Sequence, residues 1–414
     1  MSDLYERSAA VMPPFALHKM PFGIDHASGS YLYTDDGRKI LDFGSGIAVN
    51  NLGHNYPTVV KAAHEQLDKM VHCCHNLFHY EKETALAERI VGLMGGGYKV
   101  YFSNSGAEAV EGAVKLAKYA TERPAIIAFK GSFHGRTMMC TSLTASNSAY
   151  RKHYEGLVPS IYFAEYPKLF GTPYKMEDGK CPKQYFTQFD DIFKRLVDPY
   201  SVAAILMEPV QGEGGVHPAT QEFMTGLREF CDENGMLLLI DEVQTGWCRT
   251  GAVMSYMNYG IKPDIVSMAK GLGGGMPIGA ICATEEVAKA FTPGSHGTTF
   301  GGHPVSCAAA YAEVGELLDR DLAGNAKKMG DYFSEKLAKM PHVKEVRHQG
   351  LLVGVEFDDA VSGVEVKHAC LDRKLLITAI GAHTIRMVPP LIVNEEQCDK
   401  AVEIITEAVE AVAK

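Results

Sequence analysis

Two short apolar runs, residues 236–240 and Ile265–Met268, set the terms on which this chain folds. Each has strand length, and a charged residue follows each: Asp241 directly after the first, Lys270 two positions after the second. Similar runs at 99–102, Ala125–Phe129 and 203–207 alternate with helix-length amphipathic stretches. That alternation is what a mainly parallel sheet with helical crossovers requires. In such a sheet ligands sit outside the carboxyl ends of the strands, so neighbouring strands deliver Asp241 and Lys270 to one crevice. A Lys at a strand end, followed by the Gly-rich run 271–275, suits a Schiff-base amine. The nearby Asp suits the partner of a protonated ring nitrogen.

An apolar run ending in Asp-Glu is also how nucleotide hydrolases hold magnesium, but that use requires a G-x-x-x-x-G-K-[ST] loop. The only Gly-Lys pair here, Gly179-Lys180, is followed by Cys181. The run 271–279 fails G-x-G-x-x-G as well, because Met276 stands where the third Gly belongs. The 414 residues are enough for two domains, one of them large. A formal net charge of −10 argues against nucleic acid as a partner and offers no basic stripe to a membrane surface. No apolar run approaches the roughly 20 residues that span a bilayer. The ten Cys are scattered, which fits a reduced, cytoplasmic protein. His72-Cys73-Cys74-His75 matches no zinc template and reads as a partly buried loop at an interface, so no metal is expected.

Along the chain, residues 1–30 carry few periodic signals and read as an arm that packs on something else. The runs 31–34 and 39–43 read as a β-hairpin. The strand at 99–102 turns through Ser103-Asn104-Ser105-Gly106-Ala107 into a long helix, a ready anion site because free N–H groups and the helix dipole meet there. Phe133-His134-Gly135-Arg136 follows the strand Ala125–Phe129, with an aromatic pair able to stack on a flat ring and an Arg able to hold a carboxylate. Residues 157–201, with five Pro, read as irregular. A long helix at 305–318 leads to a second, smaller region of helices and strands that ends in a helix at 395–413.

Together these motifs resemble the class III, pyridoxal phosphate-dependent aminotransferases of fold type I. The most specific piece is Asp241-Glu242-Val243-Gln244-Thr245-Gly246 together with Lys270, and SNSGAEA, FHGRT, EPVQGEGG, HGTTFGG and IRMVPPL occur in the family's order. The resemblance implies an α/β fold: a large domain (51–305) around a mainly parallel, seven-stranded-type sheet, and a smaller α+β domain (306–414) joined by the N-terminal segment (1–50). It implies pyridoxal 5'-phosphate, with Lys270 as Schiff-base and proton-transfer residue and Asp241 on the pyridinium nitrogen. It further implies Gln244 on the ring hydroxyl, Phe133 stacked on the ring with His134 beside it, and Ser105, Gly106 and Ala107 on the phosphate. Thr299 would reach that phosphate from a second subunit, making the enzyme a homodimer. Arg386, Arg136 and Ile47 would contact substrate, and Glu208 would pair with Arg386 when the incoming amine carries no α-carboxylate.

The small-molecule partners would be an amino donor and a 2-oxo acid acceptor. Arg136 occurs in relatives acting on 4-aminobutyrate, ornithine and acetylornithine. Glu108-Ala109-Val110-Glu111 and the long stretch before Glu208 resemble the aminobutyrate group. The expected donor is therefore an ω-amino acid, 4-aminobutyrate or 5-aminovalerate, given to 2-oxoglutarate, with acetylornithine or ornithine as the alternative. Aminomutase, decarboxylase and racemase chemistry has less need of two carboxylate-binding Arg residues. A non-catalytic role would be expected to have lost Lys270 or Asp241.

Overall fold

The structure is a computed structural model that describes residues 3–14, 20–154, 158–168 and 184–413. Its centre is a seven-stranded sheet, numbered here β1 (Tyr98–Ser103), β2 (Ala125–Phe129), β3 (Ile161–Ala164), β4 (Val202–Met207), β5 (Leu237–Asp241), β6 (Ile265–Met268) and β7 (Gly279–Thr284). The spatial order is β1-β7-β6-β5-β4-β2-β3. Pairing is parallel from β6 through β5, β4 and β2 to β3, while β7 runs antiparallel to both of its neighbours.

The strands are apolar almost without interruption because both faces are covered. Ile126, Ala128, Leu206 and Leu239 pack with the helix Gly106–Thr121 on one face. Their neighbours Ile127, Ile205, Leu238 and Ile240 point into the main core on the other. Successive strand residues alternate between faces, so each strand serves two cores at once.

The expected hairpin is present and belongs to a larger sheet. Ile24–Ser28 adds to Tyr31–Thr34 and Lys39–Asp42, and Leu375–Leu376 joins Lys39–Asp42 in parallel. This pairing fastens the N-terminal segment to the C-terminal region. There a four-stranded antiparallel sheet is ordered Val343–Gln349, Leu352–Phe357, Thr384–Met387, Thr378–Ile380.

Two segments differ from the sequence expectation. The arm contains a helix, Asp3–Val11, that buries none of its residues. The stretch read as irregular contains both β3 and a helix, Gln184–Arg195. Tyr185, Phe189 and Ile192 of that helix are buried, and Phe186 stacks on Phe223 at 5.3 Å. The helix fits between Pro182 and Pro199, and the density of Pro around it masked a clear helical period. Residues 169–183 lie outside the described residues.

One buried cation ties the parts together. Arg249 is fully buried, and among the described residues it meets no carboxylate. Its guanidinium donates to the carbonyls of Leu351 (3.0 Å) and Pro389 (2.5 Å) and to Asn51 Oδ1 (2.7 Å). Burial pulls its pKa down to about 9. Asn51 in turn donates to the Trp247 carbonyl at 2.8 Å. Replacing Arg249 with Met removes the charge but strands three buried acceptors. The Arg249→Met variant is expected to lose about 3–5 kcal/mol of stability, measured by urea denaturation. A loss below about 1 kcal/mol would remove Arg249 from this role.

Candidate active site

Register brings the site together. Asp241 lies opposite Ser267, with Ile240 opposite Met207, so Asp241, Glu208 and Lys270 all emerge at the same edge of adjacent parallel strands. A cavity of about 400 Å³ opens there. Nine of the residues singled out from the sequence line it: Ser105, Gly106, Ala107, Phe133, His134, Glu208, Asp241, Gln244 and Lys270.

Asp241 is buried, and its orientation is fixed from two sides. Oδ2 is 2.7 Å from His134 Nδ1, and Oδ1 accepts the Val243 amide at 3.0 Å. His134 therefore stands behind the carboxylate as its support. Lys270 is half-buried and takes up left-handed backbone, with φ 45°. Such a conformation in a non-Gly residue is strained and tends to mark functional positions. Loss of water around the amine, reinforced by the Arg386 guanidinium, pulls its pKa down to about 8.

At the other end of the cavity Ser105 caps the helix Gly106–Thr121, its side chain accepting the Glu108 amide at 3.2 Å. The first-turn amides of such a helix have no partner within it and face an anion readily. Gly106 admits no larger residue, because an added Cβ would sit 2.7 Å from Val243 Cγ1.

The substrate-side residues divide differently from the expectation. Arg386 is buried and donates to Glu213 Oε1 at 2.7 Å and to Gln244 Oε1 at 3.3 Å. The carboxylate that pairs with Arg386 is thus Glu213, and the expected Glu208 pairing is corrected. Glu208 sits directly after β4 and spends both oxygens on backbone, accepting Phe133 N at 2.9 Å and Gly212 N at 3.2 Å. Five residues further on, past the turn, Glu213 is in place to reach Arg386. Burial opposes the ionisation of Glu213, but the Arg386 guanidinium outweighs it and holds the carboxyl below its ordinary range. Burial pushes Glu208 up to about 7.

Arg136 lines a neighbouring cleft that meets the cavity at Glu213. It is exposed, lies 3.8 Å over the Tyr150 ring, and has no ion pair among the described residues. Ile47 is exposed, with φ 66°, and Val49 rather than Ile47 lines the cavity. Thr299 is exposed and does not line the cavity of its own chain. Sequence reading missed Glu213, which stands inside the EPVQGEGG motif, and Tyr150, which follows Asn147 in a short capped turn. In the loop after Met70, His75 bonds Glu83 at 2.7 Å and Cys74 lies 3.7 Å from the Thr298 carbonyl.

A primary amine, an oriented carboxylate, an aromatic side chain and a helix N-terminus on one cavity form a cradle that fits pyridoxal phosphate. A family profile described as aminotransferase class-III matches residues 15–409. The chain belongs to that family.

Among curated relatives of this aminotransferase, the acetylornithine aminotransferase of Aquifex aeolicus is 40% identical over 394 residues, covering 94% of this chain and 97% of its own. That of Caldanaerobacter subterraneus is 40% identical over 398 residues, covering 94% of each. An ornithine aminotransferase from Toxoplasma gondii superposes with a TM-score of 0.88 at 27% identity, over 99% of this chain and 95% of its own. The aminotransferase depends on pyridoxal phosphate and moves an amino group between a small amino donor and an oxo acid. Among the described residues no helix is long and apolar enough to cross a membrane.

When bound, the cofactor supplies an aldehyde that captures amines and a ring that takes up charge from carbon. In this cradle Asp241 would hold a protonated ring nitrogen, and Lys270 would present an amine that gives and takes a proton. A lowered Lys270 pKa leaves the free amine dominant above about pH 8. In the cofactor-free protein, the rate of cofactor capture is expected to rise with pH, pass half its maximum near 8 and level off above about 9. A rate still climbing toward 10 would mean that the amine is unperturbed. Lys270→Ala is expected to abolish turnover and leave the fold intact by circular dichroism.

Proposed function

We propose that this aminotransferase takes the terminal amino group of acetylornithine, or of a close relative such as ornithine, and passes it to 2-oxoglutarate. The observation that carries this reading is the Arg386–Glu213 pair at the cavity. A donor reacting through a terminal amine has no carboxylate beside the reacting nitrogen, and Glu213 then satisfies the buried Arg386. Glutamate, formed from 2-oxoglutarate, carries an α-carboxylate that takes Glu213's place. Arg136, unpaired among the described residues and stacked on Tyr150, serves the distant carboxylate of either substrate. One pocket thus handles two unlike substrates.

The names of the relatives support acetylornithine over 4-aminobutyrate as the donor. Among the described residues, the features that favoured aminobutyrate do not line the cavity. Glu108 turns back to accept the Asn104 amide at 2.6 Å and its side chain at 2.9 Å, which makes it part of the helix start. The long stretch before Glu208 includes the helix Gln184–Arg195, packed in the core, and residues outside the described set.

We further propose a homodimer, in the reducing cytoplasm that its free cysteines suit. Thr299 and Phe300 are exposed beside a loop whose Val71, Leu77 and Phe78 are exposed too, and His72 lies 4.9 Å from the Phe300 ring. A second copy seated there covers this apolar patch and brings its Thr299 to the phosphate end of the cavity.

The test is a set of half-reactions followed by absorbance on the loaded enzyme, with donors added singly and no oxo acid. Acetylornithine and glutamate are expected to discharge the cofactor band fastest. A clear preference for 4-aminobutyrate or 5-aminovalerate would return the assignment to the ω-amino acid reading. Glu213→Gln is expected to lower kcat/KM for the terminal-amine donor by about tenfold or more while sparing glutamate, since only the former relies on the ion pair.

A further inference from the structure

Glu208 is left without a substrate role once Glu213 is paired with Arg386, yet it is among the most constrained side chains in the cavity. It is 6% exposed. Its two oxygens reach different loops: Oε1 accepts from Phe133 N at 2.9 Å, and Oε2 accepts from Gly212 N at 3.2 Å. Its backbone is anchored as well, since its carbonyl accepts the Tyr166 hydroxyl at 3.0 Å. The first loop carries the aromatic side chain on the cavity wall. The second carries Glu213 one residue after Gly212, and Gly212 is pressed so close to Gln244 that a Cβ there would come within 1.9 Å of its Oε1.

We propose that Glu208 is a positioning residue that clips these two loops together, setting Phe133 against the cofactor ring and Glu213 against Arg386 through one carboxylate. The physical reason lies in what a carboxylate offers. It has two acceptor oxygens on one rigid plane. Burial raises the Glu208 pKa to about 7, and above that pH it is an ionised acceptor, whose bonds are stronger than neutral ones. Strand β4 ends at Met207, so the clip is rooted at the sheet edge, at the head of the segment that carries Glu213. Movement of one loop is then transmitted to the other. The inference rests on the proposed donor reading only for the Glu213 arm; the Phe133 arm depends on no donor.

Glu208→Gln is the direct test, because an amide of the same shape keeps one acceptor and turns N–H groups toward the other backbone amide. Three quantities are measured on the loaded enzyme at about pH 8, where Glu208 is ionised: the rate of cofactor release, the half-reaction with the terminal-amine donor, and the half-reaction with glutamate. Release is expected to quicken about tenfold, the scale of one lost charge-assisted hydrogen bond. The terminal-amine half-reaction is expected to slow by about tenfold, while the glutamate half-reaction changes less than about threefold, because glutamate does not need Glu213 on Arg386.

Equal slowing of both half-reactions with unchanged release would overturn the proposal, as would no change in any of the three. If the wild-type enzyme reacts with glutamate and with no terminal-amine donor, the donor reading fails. The release rate then decides the Glu208 proposal: faster release with an intact glutamate reaction upholds it, and unchanged release sinks it. Glu208→Asp keeps the charge but shortens the reach by one methylene. It is expected to show the same order of effects should the Gln variant not fold.

Discussion

Everything at the active site depends on one register. Because β5 and β6 run parallel with Asp241 opposite Ser267, a carboxylate and an amine from distant parts of the sequence arrive at one edge of the sheet. The next strand, β4, ends one position earlier in the same alignment and delivers Glu208 beside them. A shift of one residue would turn each of these side chains to the opposite face of the sheet and bury it in an apolar layer. The unbroken apolar character of the strands, sealed on both faces, is what forbids that shift.

Polar groups at this edge are arranged in successive supports. Asp241 is steadied by His134, Phe133 and Gly212 by Glu208, and Arg386 by Glu213 and Gln244. Buried polar groups are stable only when satisfied, and most of these are held by a partner from another part of the chain. Arg249 does the same at longer range, joining carbonyls of the C-terminal region to the loop at Asn51. The cavity is therefore shaped by both halves of the chain, and its precision comes from hydrogen bonds that cross between them.

How much of this was legible in the sequence follows from the range of each signal. Strand identity, and the arrival of Asp241 and Lys270 at one cavity, could be read because periodicity and strand-end chemistry are local. The helix Gln184–Arg195 was missed although its aromatic spacing is regular, since the surrounding Pro residues argued for irregular chain. Glu208 and Glu213 share one motif, and choosing between them depends on the path of the turn at Gly212, which no spacing rule supplies. The donor was the weakest reading. Glu108 looked diagnostic as part of a string, whereas in three dimensions it serves the start of its own helix.

The backbone at Lys270 has a consequence for the life of the protein in a cell. A left-handed conformation in a residue with a long side chain costs on the order of 1–3 kcal/mol, and an amine drawn out of water adds to it. Both burdens fall on the folded chain alone. A ligand that binds only that folded chain offsets them by mass action. Cofactor supply is thus expected to set protein abundance as well as catalytic capacity: a shortage would enlarge the unfolded fraction, which quality control removes, so that the enzyme itself is lost along with its activity.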